Sequence, residues 1–362
     1  MTLAHIAEDW FRQRRRIFYP KTDMPVPDEV LRGMRARTFA ELHMTPERVA
    51  AAAEHALGVS PTGVHPLEVQ GTFHRVFRLT GLGRTGRLIL RANAANDFLR
   101  EFTFYLDAWA GEASSKVGLP SVAVRHVDLS RTIVPFDFQI IEECPGRPLE
   151  RFNDDEPRMW RLLRKLGRFV AKVHSISMSG YGLLDARPLA SGTGPPRGMR
   201  ETWAEYVLLN LAGHVEDCAR AADLTAAAAD TIFATFQRHA KCLNLSGAVL
   251  LHGDLGSHNV LTDGDRLLGL IDWEDSVAGD PVYDIAFWAT FHPPARHDAF
   301  LAGYREVRPL PDDFPIRFWL YFVRIAVAKA VHRRRFGYAD RPGRPTAAHR
   351  IFYALDELAR AA

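Results

Sequence analysis

The chain carries two kinds of apolar pattern, and the change between them falls near residue 145. Between residues 66 and 144 the apolar positions come in short, partly alternating runs. These are "PLEVQ", "RVFRLTGL", "RLILRAN", "SVAVRHV" and "FQIIEEC". Short alternating runs rich in β-branched and large apolar residues predict strands. One segment among them, "NDFLREFTFYLDAWA", places Phe98, Phe102, Tyr105 and Leu106 on one face of a helix. Ahead of the strands, "TPERVAAAAEHAL" predicts another helix, with Thr45 as N-cap and Pro46 in its first position. Strands, one helix between them and more strands predict a small antiparallel sheet with a single main helix.

After "CPGRPL" the period lengthens to that of a helix. In "PRMWRLLRKLGRFVAKVHSI" the core-facing positions are Met159, Leu162, Leu163, Leu166, Phe169, Val170 and Val173. His174, at the end of that helix, reads as a capping or packing residue. "LTAAAADTIFATFQRHAKCL" predicts a further helix, and the C-terminal third is helical apart from one hairpin. Residues 1–44 read as an extension. "FRQRRRIFYP" is basic, with Arg14, Arg15 and Arg16 on a solvated helix face, and "YPKTDMPVPDEV" is rich in turn formers. The expected division is an extension at 1–44, an N-lobe with its linker at 45–144, and a C-lobe at 145–362. No internal repeat is present.

Composition narrows the class. A length of 362 residues suits two lobes, and 47% apolar with 25% charged residues is ordinary for a globular protein. The most apolar stretch, Phe318 to Val331, is interrupted by Arg324 and Lys329, which argues against a membrane span. The first residues lack a signal-peptide core. Cys144, Cys218 and Cys242 form no C-x-x-C pair, which fits a reducing compartment and a cytoplasmic location. A net charge of +3 gives no case for a nucleic-acid partner. The basic residues are nearly all arginine, which reads as coding bias.

The chemistry concentrates in "VLLHGDLGSHNVLTDGDRLLGLIDWEDSVAGDPVYDIAFW", residues 249–288. "HNVLT" and "LLGLIDW" form a hairpin around the turn-rich "DGDR". Around it stand four polar residues that apolar strands do not need: His252, Asp254, Asn259 and Asp272. Phosphoryl transfer needs metal ions to neutralise the phosphates, an aligned hydroxyl and an acceptor for its proton. Mg²⁺ takes hard oxygen ligands. Asp254 and Asn259 have the D-x-x-x-x-N spacing of a kinase catalytic loop. Asp272 stands where the metal-binding Asp of D-F-G would stand, here in Asp272-Trp273-Glu274. A zinc cluster of His252, Asp254 and His258 is the competing reading, and it leaves Asn259 and Asp272 without a purpose.

The signature "HGDLGSHN…IDWEDSVAGDPVYDIA" resembles the aminoglycoside phosphotransferase and choline kinase group, relatives of the protein kinases, over roughly residues 45–362. The resemblance implies an α+β, bilobal, protein-kinase-like fold. A small antiparallel-sheet N-lobe with one main helix would join a larger, mostly helical C-lobe. It implies that Asp254 accepts the substrate proton and that Asn259 and Asp272 hold Mg²⁺. His252, Asp280 and Asp284 would support the loop. The nucleotide, ATP or GTP, would meet the "QGTFHR" turn at Gly71 and Thr72, and its base would meet the linker from Glu142 to Cys144. Arg91 takes the place of the usual Lys, and Glu101 is its expected helix partner. The implied partners are this nucleotide and a small-molecule hydroxyl acceptor, an antibiotic such as an aminoglycoside or a sugar-like metabolite. Alternatives are an amino-alcohol kinase of the choline kinase type and a catalytically silent nucleotide-binding regulatory module. A metal-dependent hydrolase is a third class.

An aminoglycoside pocket should be acidic, because opposite potential draws in a polycation. From residue 296 onward the chain instead carries 13 Arg and Lys against 7 Asp and Glu. Glu274 and Asp275 remain as a local acidic wall. Finally, "GLGRTG", Gly81 to Gly86, is a literal dinucleotide fingerprint. That fingerprint works between a strand and a helix, whereas here strands flank it on both sides. It is therefore expected to be a hairpin turn about 20 Å from Gly71, with none of its glycines on a phosphate.

Overall fold

The computed structural model describes residues 3–68, 71, 73–83, 86–95, 99–338 and 345–361. Strands β1 (Gly63–Pro66), β2 (His74–Thr80), β3 (Leu88–Asn93), β4 (Val124–Asp128) and β5 (Phe138–Glu142) make one antiparallel sheet in the order β1-β2-β3-β5-β4. Alternation sets the register. Phe77, Leu79, Leu88, Leu90, Phe138 and Ile140 share a small core with Val49, Ala52 and Ala53 of the helix Pro46–Leu57. Thr45 caps that helix, its hydroxyl accepting from Arg48 N. The first strand lies earlier than "PLEVQ" predicts: it ends at Pro66, and Leu67 adds one bond to Val76 O. Residues 69 and 70 are outside the described residues.

The main helix of this half runs over Thr103–Lys116, later than the apolar pattern predicts. Side chains hold the preceding stretch out of helical geometry. Asn93 Oδ1 accepts from Ala95 N at 2.8 Å, and Asp137 Oδ2 accepts from Glu101 N at 3.0 Å. Phe98 is outside the described residues. "GLGRTG" connects β2 to β3, whose last pair is Leu79 with Leu88. Gly81, Gly83 and Gly86 all have positive φ, which glycine adopts at little cost.

The second half is helical around a large core, with helices Glu156–Val173, Pro281–Ala289, Pro294–Arg305, Phe314–Arg335 and Ala347–Ala361. It holds more strand than expected. Strands β6 (Arg147–Pro148), β11 (Val260–Thr262) and β12 (Leu267–Leu270) form a sheet in the order β12-β11-β6, the expected hairpin plus one strand. A second sheet joins β7 (Ser177–Met178), β8 (Tyr181–Asp185), β9 (Arg197–Arg200), β10 (Ala248–Leu251) and β13 (Val277–Gly279) in the order β7-β10-β13-β8-β9. These strands are two to five residues long, too short to display a period of two.

The first 44 residues are not an appendage. They form helices Leu3–Arg15, Pro20–Asp23, Asp28–Arg35 and Thr38–His43. Trp10, Ile17, Phe18, Tyr19, Met24 and Leu31 enter the large core. Arg14, expected on a solvated face, is buried and donates to Glu274 O at 3.2 Å. No helix among the described residues is long and apolar enough to cross a membrane.

Candidate active site

A cleft of about 1350 Å³ opens between the β1–β5 sheet and the helical half. At its floor is the loop that follows β10. Gly253 turns the chain there with φ +79°, and a Cβ would stand 2.0 Å from Asp275 O, so only glycine fits. The loop hangs from one buried carboxylate. Asp284 Oδ2 accepts from His252 N at 2.6 Å and Oδ1 accepts from Gly253 N at 3.0 Å. His174, buried at the end of its helix, also meets Asp284, at 3.3 Å, and Tyr304 OH at 2.9 Å. His252 links the loop to the hairpin through Ile271 O at 3.0 Å. Asp280 caps Pro281–Ala289 and accepts from Tyr321 OH at 2.8 Å. His252 and Asp284 thus brace the loop directly, while Asp280 caps the helix that carries Asp284. Asp284→Ala strands two buried N–H groups, each costing about 1–3 kcal/mol. Urea titration is expected to show a stability loss of roughly 2–5 kcal/mol.

Asp254 is buried at the cleft floor, and both of its carboxylate oxygens are engaged. Lys21 Nζ donates to Oδ2, and Tyr19 OH donates to Oδ1 at 3.3 Å. Lys21 also stands 3.4 Å from Asp275 Oδ2. The segment that delivers Lys21 is strapped to Phe314–Arg335. Thr22 Oγ1 donates to Ala328 O at 2.9 Å, His332 Nδ1 pairs with Lys21 O at 2.8 Å, and Arg335 donates to Thr22 O at 2.8 Å. Burial alone would raise the Asp254 carboxyl. The Lys21 ammonium, with His258, reverses this and holds it well below the usual carboxylate range.

Asn259 Nδ2 donates to Asp254 O at 3.0 Å, which commits its nitrogen and leaves its carbonyl oxygen for a cation. Asp272 adopts the left-handed region at φ 69°, an uncommon conformation for a residue with a side chain and one that recurs at functional sites. Burial raises its carboxyl, but Arg91 foremost, then Lys21 and His74, bring it down to about 2. An ionised carboxylate and an amide oxygen lining one cleft are a hard-oxygen donor pair that fits Mg²⁺.

Arg91 is not paired with Glu101. Its guanidinium donates to Asp107 Oδ2 at 2.6 Å and to Asp272 Oδ1 at 2.9 Å. Glu101 lies ahead of the helix, accepting from Thr103 at 3.0 Å and standing 3.4 Å from His74 Nε2. Asp107, one helical turn further on, is the group that reaches Arg91. It also accepts from Gln139 at 2.8 Å and from Trp273 N at 2.8 Å, so it joins β3, β5 and the Asp272 segment. Glu274 and Asp275 do not form an acidic wall. They are 8% and 4% exposed, and burial pushes both carboxyls up, Glu274 strongly. No zinc cluster forms around His252, whose ring is committed to Ile271. Among the described residues the trio close enough for a metal is His74, Glu101 and Glu274, and Arg91 crowds it at 3.8 Å from Glu274.

One end of the cleft is aliphatic on two sides. Val76 and Ile89 come from β2 and β3, Leu261 and Leu270 from β11 and β12, and Glu142 to Cys144 close the edge. Gly71 lines the cleft, and Gly81, Gly83 and Gly86 do not. Thr72 lies outside the described residues. Sequence reasoning missed Lys21, Tyr19 and Asp107. Asp107 had a signal: Thr103, Asp107, Ala110 and Ser114 form the buried stripe of their helix, and a carboxylate there needs a partner.

Comparisons with known proteins bear on the fold and the family. Residues 65–351 match the model of a family described as "Phosphotransferase enzyme family". A hygromycin-B 4-O-kinase from Escherichia coli is 32% identical over 206 residues, covering 55% of each chain. The matched part thus spans about half the length of that curated relative. A thermostable mutant of aminoglycoside phosphotransferase APH(4)-Ia, in ternary complex with AMP-PNP and hygromycin B, superposes with a TM-score of 0.62 at 18% identity, covering 85% of this chain and 98% of that one. A choline/ethanolamine kinase family protein from Mesorhizobium loti gives a TM-score of 0.51 at 18% identity, covering 87% and 92%. The bilobal α+β fold is therefore protein-kinase-like. With a family match over most of its length, and the Asp254–Asn259–Asp272 loop and hairpin inside that match, the chain belongs to the phosphotransferase enzyme family.

Proposed function

We propose that the protein transfers the γ-phosphate of ATP or GTP to a hydroxyl of a small molecule. The observation that carries this reading is the convergence of Asp254, Asn259 and Asp272 on one cleft whose other end suits a planar base. The acceptor oxygen bonds to the γ-phosphorus, the bond to the β,γ-bridging oxygen breaks, the nucleoside diphosphate leaves and the hydroxyl proton passes to Asp254. Asn259 and Asp272 would hold Mg²⁺, which supplies charge neutralisation for the phosphates. Arg91, fixed by Asp107, would reach a phosphate oxygen with the nitrogen that here meets Asp272. Lys21, bonded to Asp254 on the same cleft, would exchange that bond for one to the transferring phosphoryl group. The low proton affinity of Asp254 suits a loose transition state, in which the proton moves late and the base chiefly orients the hydroxyl.

A silent regulatory module is disfavoured by the presence of Asp254, Asn259 and Asp272 together on one cleft. The test is nucleotide consumption across amino sugars, aminoglycosides, hydroxy acids and amino alcohols. Turnover is expected with Mg²⁺ and lost with chelator. Tight Mg·ATP binding with no transfer to any acceptor class would favour the module instead.

A further inference from the structure

Past Asp254 the cleft continues between Thr290, Phe291, the helix Phe314–Arg335 and the helix Ala347–Ala361. An acceptor whose hydroxyl meets Asp254 must lie there. That end carries cations. Lys329 Nζ donates to Thr290 Oγ1 at 2.6 Å and sits 3.8 Å and 3.4 Å from the ring centres of Phe287 and Phe291. Arg350 donates to Thr290 O at 2.7 Å, so the two cations bond the same threonine. Among the described residues no carboxylate lies within 4.0 Å of the Lys329 ammonium. The acidic neighbour it senses is Asp254, already bonded to Lys21, while Arg350 and Lys21 repel it. Burial pushes the Lys329 amine well below its usual range.

An ammonium withdrawn from water without a counter-ion is costly. Aromatic faces and one hydroxyl offset part of that cost. A ligand oxyanion would offset more, and it would draw the proton back onto Lys329. We propose that Lys329 and Arg350 form a subsite for an oxyanion of the acceptor, so that the substrate is a hydroxyl compound bearing a carboxylate or phosphate rather than a polycation. This rests on the kinase reading, since it assigns the acceptor end of the same cleft. Carboxylate and phosphate share the chemistry of the subsite, a charge-assisted hydrogen bond from Lys and a forked one from Arg.

The test uses the full chain saturated with Mg·ADP and titrated with acetate or inorganic phosphate at constant ionic strength. The readout is thermal unfolding. Wild-type protein is expected to gain stability saturably with at least one of the two, and the stronger of them identifies the acceptor's anion. Lys329→Met and Arg350→Met are each expected to raise the apparent Kd at least about tenfold. Arg15→Met, on the exposed face of the first helix, is expected to change nothing. Without added anion, Lys329→Met is expected to unfold at a higher temperature than wild type, because a buried amine without a counter-ion has become an apolar side chain of similar length. That readout separates loss of the subsite from loss of folding. Three results overturn the proposal: no saturable gain in wild type, an equal gain in Lys329→Met, or stabilisation by the polycation kanamycin where both anions fail. The Mg·ADP titration, read first on the same samples, reports on the kinase reading independently, and Lys329→Met is expected to leave it unchanged.

Discussion

Replacing Asp254 with alanine is expected to lower kcat by about 10²–10⁴-fold, the range for removing a positioned general base, the role proposed for it. The Kd for Mg·ATP is expected to stay within about threefold, because the residues that would meet the nucleotide are elsewhere. The loop survives the change. Asn259 bonds the main-chain oxygen of residue 254, and Asp284 bonds the main-chain nitrogens of residues 252 and 253, so no truncated atom supports the backbone. Lys21 keeps a carboxylate at Asp275. Calorimetric titration with Mg·ATP beside steady-state turnover makes the measurement. Undiminished turnover removes Asp254 from the chemistry.

Lys21→Met is expected to lower kcat by about 10²–10³-fold, the cost of one preorganised electrostatic contact to a developing charge. It also moves the acid limb of the kcat/KM profile. Lys21 favours the ionised form of Asp254, so removing it raises that carboxyl. The active, ionised enzyme then appears only at higher pH, and the limb shifts upward. A residue that merely braced the fold would reduce activity without moving the limb. If Lys21 acted only as an internal plug on the catalytic carboxylate, the variant would be more active than wild type, and that outcome overturns its assignment to the transfer step.

The sequence was most legible where local pattern and local chemistry coincide. The N-lobe strands and the helix capped by Thr45 follow from alternation and one capping residue. The loop of Asp254 and Asn259 with Asp272 on the following hairpin lies within 19 residues, so spacing alone brings the set together. "GLGRTG" was readable as a turn because its flanks were strands. What escaped depends on distant parts of the chain. Arg91 takes Asp107 rather than Glu101 because Asp137 and Asn93 delay the helix start until Thr103. The Glu274–Asp275 pair looks like an acidic surface in one dimension and is turned inward in three. Lys21 sits in a proline-rich stretch with the texture of a linker, and no local pattern joins it to a carboxylate 233 positions away.

That separation has a consequence for how the enzyme comes into being. Lys21 and Tyr19 are made long before their anchors, which include Ala328, His332 and Arg335. The segment that carries them must wait, its apolar side chains Ile17, Phe18 and Tyr19 without their final partners, until the helix Phe314–Arg335 has been made. Contacts of such sequence separation form late and slow folding. Asp254 thus receives its lysine only once two segments far apart in sequence have met, and a nascent chain without the helix Phe314–Arg335 does not yet hold the finished site.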